Sequence, residues 1–259
     1  MTSGTRKLVA ALTAGCLLAG MAACGSSGGD TQAQDTDDST TVQTEGARIA
    51  TSLSARIEDM LRTDTDMSER QRDILERALA NDGVVTKADY ELAWSNFQQC
   101  LADKGYAPMT TTMYQGGVHG PSWMTDVGDR GEGVRDKVTD DVIACKSSEN
   151  LVVDELYRAA IGNPSLYQVP EVGVADCLRR KNLVPVSYTA KTYQEDQKRV
   201  DAAYSEFVAS RSVDDAWAEA VKEYGFDYDD PEVQLCHVAN GLDIRGQVPG
   251  TAVTWKPFG

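Results

Sequence analysis

The sequence predicts a mainly α-helical fold, a disulfide-stapled helical domain of two related helical units with at most a small β-ribbon. Three observations predict this fold class. Apolar residues recur every three or four positions through most of the chain beyond residue 47. Four cysteines, an even number, lie in that part of the chain, and a nine-residue motif that begins with cysteine occurs there twice.

The helical stripes follow one another along the chain. They are carried by Ile49, Leu53, Ile57 and Leu61; by Ile74, Leu75, Ala78 and Leu79; by Tyr90, Trp94, Phe97 and Leu101; by Val138, Val142 and Cys145; by Leu156 and Ala160; by Val200, Tyr204, Phe207 and Val208; and by Val213, Trp217 and Tyr224. Ser68 with Gln71 three residues later has the spacing of a capping box. Thr86 is a predicted N-cap, and Asp230-Pro231 opens a last helix. Strand signals are weak and are confined to 107–112 and 184–188, which we expect to pair as the small ribbon.

Charge excludes two classes of partner. The chain has 259 residues with 25 Lys and Arg against 40 Asp and Glu. Nucleic-acid binding requires clustered Lys and Arg, so we predict no nucleic-acid partner. Electrostatic docking on anionic lipid is disfavoured for the same reason. Outside the N-terminus, no apolar run approaches the roughly 20 residues of a membrane-spanning helix.

Residues 1–23 have the layout of a secretory signal peptide. Arg6 and Lys7 precede an uncharged, mostly apolar stretch that ends in small residues. The segment Met21-Ala22-Ala23-Cys24 resembles the lipobox of bacterial lipoproteins, with Met where that family prefers Leu. The resemblance implies that Cys24 becomes the N-terminus and carries a diacylglyceryl thioether, whose acyl chains, such as palmitate, anchor the protein. The alternative is ordinary cleavage with a free Cys24.

The segment after Cys24 predicts a flexible acidic tether that extends to residue 46. Residues 25–46 contain only two apolar side chains, five acidic ones and no basic one, so they cannot form a core. Their typical reach is about 25 Å. The high content of Ala, Gly, Asp and Thr resembles secreted proteins of high-GC Gram-positive bacteria. The chain is thus similar to actinobacterial membrane-anchored lipoproteins of unknown function, a resemblance that implies no activity.

The cysteine pattern predicts two disulfides. Cys16 lies in the signal peptide, and an even number of remaining cysteines in an exported chain indicates disulfide pairing. Four cysteines allow three connectivities. The motif C-L-x-x-K-[GN]-Φ-x-P occurs at 100–108 and 177–185, and [DE]-V-x-x-C occurs at 141–145 and 232–236.

Because both motifs occur twice in the same order, we expect one disulfide within each copy, Cys100–Cys145 and Cys177–Cys236. The predicted units are then 47–165 and 166–259. The alternative is chance similarity with a crossed pairing. Because the chain contains no C-x-x-C pair, the cysteines do not predict a zinc site.

Motifs for metals and cofactors are missing. Asp82–Asp89 resembles the second half of a calcium loop, but its first two ligand positions fall on Ala78 and Ala80, which offer no side-chain oxygen. We therefore expect a helix–turn–helix corner there. Neither a phosphate-binding nor a dinucleotide fingerprint is present, and G-x-S-x-G is absent. The sequence predicts no catalytic residue, no metal ligand and no cofactor.

The segment 106–133 is a 28-residue loop with six glycines and no helical period. Loops of this length are uncommon and are usually functional or disordered. Tyr114, His119 and Trp123 are the side chains predicted to contact a partner. The alternative is a loop that folds back and packs on its own domain. The C-terminal segment 255–258 is predicted to be an apolar latch.

These observations predict an extracytoplasmic, lipid-anchored, non-enzymatic binding or accessory protein of the cell envelope. It would lie on the outer face of the cell membrane, and its partner would be an envelope protein or a cell-wall glycan. The alternative function is an envelope hydrolase that uses an acidic pair or His119. A structural spacer without a specific ligand is a third alternative.

Overall fold

A computed structural model of the chain describes residues 46–120, 124–242 and 254–259. The predicted signal peptide, the lipidation site Cys24, nearly all of the predicted tether and the predicted contact residue Trp123 lie outside the described residues. The described part of the chain belongs to one compact unit.

The described residues form nine α-helices and two short strand pairs, which confirms the predicted fold class. The helices are α1 (Leu53–Thr63), α2 (Glu69–Leu79), α3 (Lys87–Asp103), α4 (Glu132–Glu149), α5 (Leu151–Gly162), α6 (Pro170–Arg180), α7 (Ala190–Phe207), α8 (Val213–Ala220) and α9 (Pro231–Ala239). Strands β1 (Thr112–Met113) and β2 (His119–Gly120) pair antiparallel, and β3 (Met124–Thr125) pairs parallel with β4 (Thr254–Trp255). No helix in the described ranges combines the length and apolarity needed to cross a membrane.

The predicted caps at Ser68 and Thr86 are present, but Gln71 does not complete a capping box. The Ser68 hydroxyl accepts a hydrogen bond from the Gln71 backbone N–H, as expected. The Gln71 side chain instead reaches the junction of α4 and α5. Its Nε2 donates to the carbonyl oxygens of Ser147 and Ser148, and its Oε1 accepts from the Val152 N–H at 3.0 Å. A residue expected to serve its own helix therefore fixes α2 to the α4–α5 junction.

The predicted ribbon between 107–112 and 184–188 does not form in the part of the chain that the structure describes. Thr112 pairs with Gly120 in its own loop. The 184–188 segment is a turn between α6 and α7, in which the Tyr188 N–H donates to the Pro185 carbonyl. Pairing with a nearby strand in the same loop costs less loop-closure entropy than pairing with a segment more than 60 residues away.

Both predicted disulfides are confirmed. Cys100–Cys145 joins α3 to α4 with a Cα–Cα distance of 5.7 Å, and Cys177–Cys236 joins α6 to α9 at 5.6 Å. The motif lysine and motif acid also pair in each copy. Lys104 Nζ lies 3.0 Å from Asp141 Oδ1, and Lys181 forms an ion pair with Glu232. The sequence repeat is therefore a repeat of packing as well. The first copy contains the glycine-rich loop where the second contains α7 and α8.

The apolar core consists of two clusters that share α9. The larger cluster packs α1 to α5 and is centred on Ile74, Tyr90, Phe97, Leu101 and Leu156. The smaller cluster contains Val174, Leu178, Tyr193 and Val233 beside the second disulfide. Helix α9 supplies Val233 to the smaller cluster and Leu235 and Val238 to the larger one.

The C-terminal segment is bound to the glycine-rich loop, as predicted for a latch. Trp255 is buried, and its Nε1 donates to the Ala107 carbonyl at 3.0 Å. The Ala107 N–H donates to the Pro257 carbonyl at 2.8 Å, and the Asp126 N–H donates to the Trp255 carbonyl at 2.9 Å. These bonds join the C-terminal segment to two separate parts of the loop, at Ala107 and at Asp126.

The segment 82–89, which resembles half of a calcium loop, is a closely packed corner between α2 and α3. One glycine permits this close packing. Gly83 has φ +81°, and a Cβ at this position would lie 2.6 Å from the Ser54 backbone nitrogen. The backbone strain and the clash with α1 act together. We expect Gly83→Ala to lower the free energy of unfolding by about 2–3 kcal/mol.

Urea denaturation measures this loss. Gly133→Ala is the matched control, because a Cβ at Gly133 meets no atom within 4 Å and the residue lies in α4 without a positive φ. This control should be neutral or slightly stabilising. Equal effects of the two substitutions would contradict the packing argument.

Candidate functional site

The loop predicted to bind a partner folds back on the body and leaves a few of its side chains exposed, Met113 most of all among its large apolar ones. Met109, Val118 and Val127 are buried in the larger core cluster. Residues 112–120 form a hairpin, which we call the β1–β2 hairpin. On β1, Met113 is 54% exposed, and in the turn Gln115 is exposed while its Nε2 donates to Glu232 Oε1.

His119 lies on β2 opposite Met113, and several hydrogen bonds fix it. Its Nδ1 is hydrogen-bonded to Thr111 Oγ1 at 3.0 Å, and its Nε2 to Glu91 Oε2 at 3.0 Å. The imidazole stacks on the Trp94 ring with a centroid distance of 4.7 Å. Its backbone N–H donates to the Tyr90 hydroxyl at 3.0 Å. Helix α3 thus positions His119 through the side chains of Tyr90, Glu91 and Trp94, which are close enough in sequence to share one side of the helix.

A buried charge network lies beneath the hairpin. The Tyr90 hydroxyl donates to Asp154 Oδ1 at 2.8 Å, and Asp154 Oδ2 lies 2.9 Å from Arg158 Nε in an ion pair. The Arg158 guanidinium also donates to the carbonyl oxygens of His119 and Val238. Burial, reinforced by Asp154, raises the pKa of Tyr90 far above its ordinary value, so its hydroxyl stays protonated and donates to Asp154.

Four polar residues lie at intervals of four positions across the junction of α4 and α5, where Asn150 is the non-helical residue between the two helices, namely Lys146, Asn150, Asp154 and Arg158. Burial lowers the pKa of the Lys146 ammonium, and Asp154 opposes this shift. Asn150 is fully buried, and neither of its amide atoms has a hydrogen-bond partner among the described residues. The Trp94 Nε1 is likewise buried without a partner in that part of the chain.

The structure brings Tyr114 and His119 together on the β1–β2 hairpin. The Tyr114 ring packs so closely on the backbone that a Cβ at Gly120 would lie 2.4 Å from its Cε2. Sequence reasoning missed the supporting network of Tyr90, Asp154 and Arg158. A signal was present, because Asp154 and Arg158 are charged residues four apart within a helix that is otherwise largely apolar.

Other chemistry-bearing clusters offer less. The described residues contain no group of three His, Cys, Asp or Glu side chains arranged to hold a metal ion. A surface depression near the α7–α8 turn is lined by Arg211, Asp215, Glu219 and Lys222. These exposed charges pair with one another, as Lys222 does with Glu219 at 2.7 Å, and none belongs to the hairpin site.

His237 has a structural environment, as its position after Cys236 suggested. It is buried, its Nδ1 is hydrogen-bonded to the Val233 carbonyl at 2.8 Å, and the Tyr193 and Tyr228 rings lie within 6 Å of it. Burial lowers the pKa of His237 from 6.5 to about 4. The folded state therefore binds this proton less readily than the unfolded state.

This shift makes stability depend on pH. Below pH 6.5 the unfolded chain takes up a proton that the folded protein excludes down to pH 4, so stability falls as pH falls through that window. We expect a loss of about 2 kcal/mol between pH 7 and pH 5, and about 3 kcal/mol by pH 4. Urea denaturation at these pH values tests this, and His237→Gln should remove most of the slope between pH 7 and pH 5. An unchanged slope in this variant would contradict the assignment.

No protein-family model, curated protein or solved structure matches this chain.

Proposed function

We propose that this chain is an extracytoplasmic, lipid-anchored binding or accessory protein of the cell envelope and that it is not an enzyme. The observation that carries the binding role is the β1–β2 hairpin, whose backbone is hydrogen-bonded to the body of the protein while Met113 on β1 stays exposed. The partner would be an envelope protein or a cell-wall glycan.

The hairpin has the physical properties of a preformed contact. The Tyr157 hydroxyl donates to the Gly116 carbonyl at 2.7 Å, and Arg158 and Tyr90 bind the backbone of His119. A loop that is already ordered loses little conformational entropy on binding. Met113 at the tip is flexible and polarisable, which suits an adaptable apolar contact. In this proposal Tyr114 and His119 set the shape of the site, Met113 faces the partner, and Gln115 holds the turn beside it through Glu232.

The location is supported by the two disulfides, which persist in oxidising compartments outside the cytoplasm. The lipobox resemblance makes Cys24 the proposed lipidation site. We expect incorporation of an alkyne-labelled palmitate and recovery in the membrane fraction, and both should be lost in Cys24→Ser. Cys16→Ser is the matched control and should retain both. Label that persists in Cys24→Ser would contradict the anchor.

Site-specific photo-crosslinking in living cells tests the binding role. A photo-reactive amino acid at Met113 should capture a reproducible envelope protein or glycan. The same amino acid at Val186, which is 91% exposed, is the control and should not capture that species. The additional substitution Gln115→Ala should weaken capture from Met113. Identical products from both positions would show that the hairpin has no selective contact.

A hydrolase is the second candidate, because Thr111, His119 and Glu91 form a hydrogen-bonded series of hydroxyl, imidazole and carboxylate. Such a series can activate a hydroxyl nucleophile. Chromogenic acyl esters and amides discriminate the two functions. Hydrolysis that disappears in both Thr111→Val and His119→Gln would establish the enzyme. If the protein is only a binding protein, Thr111→Val should show the same background rate as the unsubstituted protein.

A further inference from the structure

Met113 and His119 lie directly opposite each other in the β1–β2 hairpin. The Tyr114 N–H donates to the Val118 carbonyl at 2.8 Å, so the adjacent pair, Met113 and His119, is a non-hydrogen-bonded one. The backbone N–H and carbonyl of His119 accordingly bind side chains of α3 and α5 rather than the opposite strand. The side chains of such a pair project from the same face of the ribbon, with Cβ atoms about 4.5–5.5 Å apart. The Met113 thioether is therefore a neighbour of the His119 imidazole.

Glu91 supplies a carboxylate to the same imidazole. Its Oε2 lies 3.0 Å from His119 Nε2, and the Glu91 side chain is 42% exposed. In the described part of the chain, Glu91 forms no ion pair with a lysine or an arginine. Two ligand atoms 3.0 Å apart, each about 2.0–2.2 Å from one metal ion, subtend an angle of about 90° at that ion. The separation of these two atoms thus suits a shared metal ion.

The surroundings of His119 hold the imidazole in place. Its Nδ1 is hydrogen-bonded to Thr111 Oγ1 at 3.0 Å. Metal-binding imidazoles generally donate their second N–H to an oxygen, which fixes the ring and leaves the other nitrogen to the metal. The Trp94 ring covers one face of the imidazole at a centroid distance of 4.7 Å. The His119 side chain is only 12% exposed, so the ring is ordered before any ligand arrives.

We propose that Met113, His119 and Glu91 form a binding site for one copper ion. The donor set selects this metal, because a thioether is a soft ligand that favours Cu(I) and an imidazole suits copper in either oxidation state. Calcium and magnesium require more oxygen ligands than one carboxylate supplies. The site does not depend on the proposed envelope-binding role, because the isolated protein should bind copper without a partner.

Anaerobic Cu(I) titration of the detergent-solubilised full chain against a chromogenic chelator tests the proposal. Every sample carries Cys16→Ser and Cys24→Ser, because the other four cysteines form disulfides and no free thiol then competes for copper. One equivalent of Cu(I) should bind. Met113→Leu should raise the Cu(I) dissociation constant at least about tenfold and change Cu(II) binding much less. Met60→Leu is the matched control, because Met60 packs against the larger core cluster, and should bind as the unsubstituted protein does.

Two further variants test the other donors. His119→Gln should abolish stoichiometric binding of both Cu(I) and Cu(II). Thr111→Val removes only the hydrogen bond that orients the imidazole, so it should weaken copper binding by about 10–100-fold without changing the stoichiometry. Met113 is 54% exposed, so Met113→Leu should fold normally and keeps the proposal falsifiable if His119→Gln does not fold. Failure of the unsubstituted site to bind one equivalent of Cu(I), or an unchanged Cu(I) affinity in Met113→Leu, would overturn the proposal.

Discussion

Asp154→Asn should lower the free energy of unfolding by about 3–5 kcal/mol, because it removes one partner of a buried ion pair and leaves the other. Arg158, whose side chain is only 12% exposed, would lose its counter-charge. The amide would also weaken the bond to the Tyr90 hydroxyl. Because Tyr90 and Arg158 hold the backbone of His119, the loss should extend to the β1–β2 hairpin.

Urea denaturation measures the total loss, and amide hydrogen exchange should show faster exchange at His119 and its neighbours. Two controls separate the causes. Tyr90→Phe removes only a hydroxyl and should cost about 1–2 kcal/mol. Asp59→Asn breaks an ion pair whose members are 45% and 73% exposed and should cost less than about 1 kcal/mol. A loss of under 1 kcal/mol in Asp154→Asn would mean that the network does not hold the hairpin.

Removal of the Cys177–Cys236 disulfide should cost about 4 kcal/mol in the chain-entropy model, given the 59-residue separation of its cysteines. Both cysteines are fully buried, so alanine is the appropriate replacement. The disulfide lies in the smaller core cluster, where α6 and α9 meet. A loss of this size is a large fraction of the 5–15 kcal/mol typical of a domain.

The Cys100–Cys145 disulfide provides an internal comparison. Its 45-residue separation predicts nearly the same entropic effect. Each loop is also joined by a lysine–acid pair, Lys104–Asp141 here and Lys181–Glu232 in the other copy. The structure adds a difference, because the Tyr106 hydroxyl also donates to Asp141, whereas Leu183 at the matching position of the second copy has no hydroxyl. We therefore expect thermal unfolding of the Cys177→Ala, Cys236→Ala variant to begin at a lower temperature than that of the Cys100→Ala, Cys145→Ala variant. The reverse order would show that the smaller cluster is not the weaker part.

Local signals in the sequence determined the helices and their starts. The caps at Ser68, Thr86 and Asp230 depend on a side chain and a backbone N–H two or three residues apart. The disulfide pairing was also predictable, because two copies of one motif must each close in the same way. The paired Lys104–Asp141 and Lys181–Glu232 contacts show the same repeat in space.

The tertiary structure alone decided the partners of residues that are distant in sequence. Gln71 was predicted to cap its own helix and instead binds the α4–α5 junction. The strand at 107–112 was predicted to pair with 184–188, and Thr112 pairs with Gly120 instead. These hydrogen-bond partners depend on the packing of the helices, because packing determines which backbone groups are buried and still need a partner.

The sequence by itself therefore determined the fold class, the helix starts and the disulfides, because these follow from periodicity, caps and repetition along the chain. It also predicted where an unusual loop lies. The tertiary structure decided that Tyr90, Asp154 and Arg158 form one hydrogen-bonded network that holds the backbone of His119. These residues lie on helices that are more than 50 positions apart, and only packing of the two helices brings their polar groups into one interior.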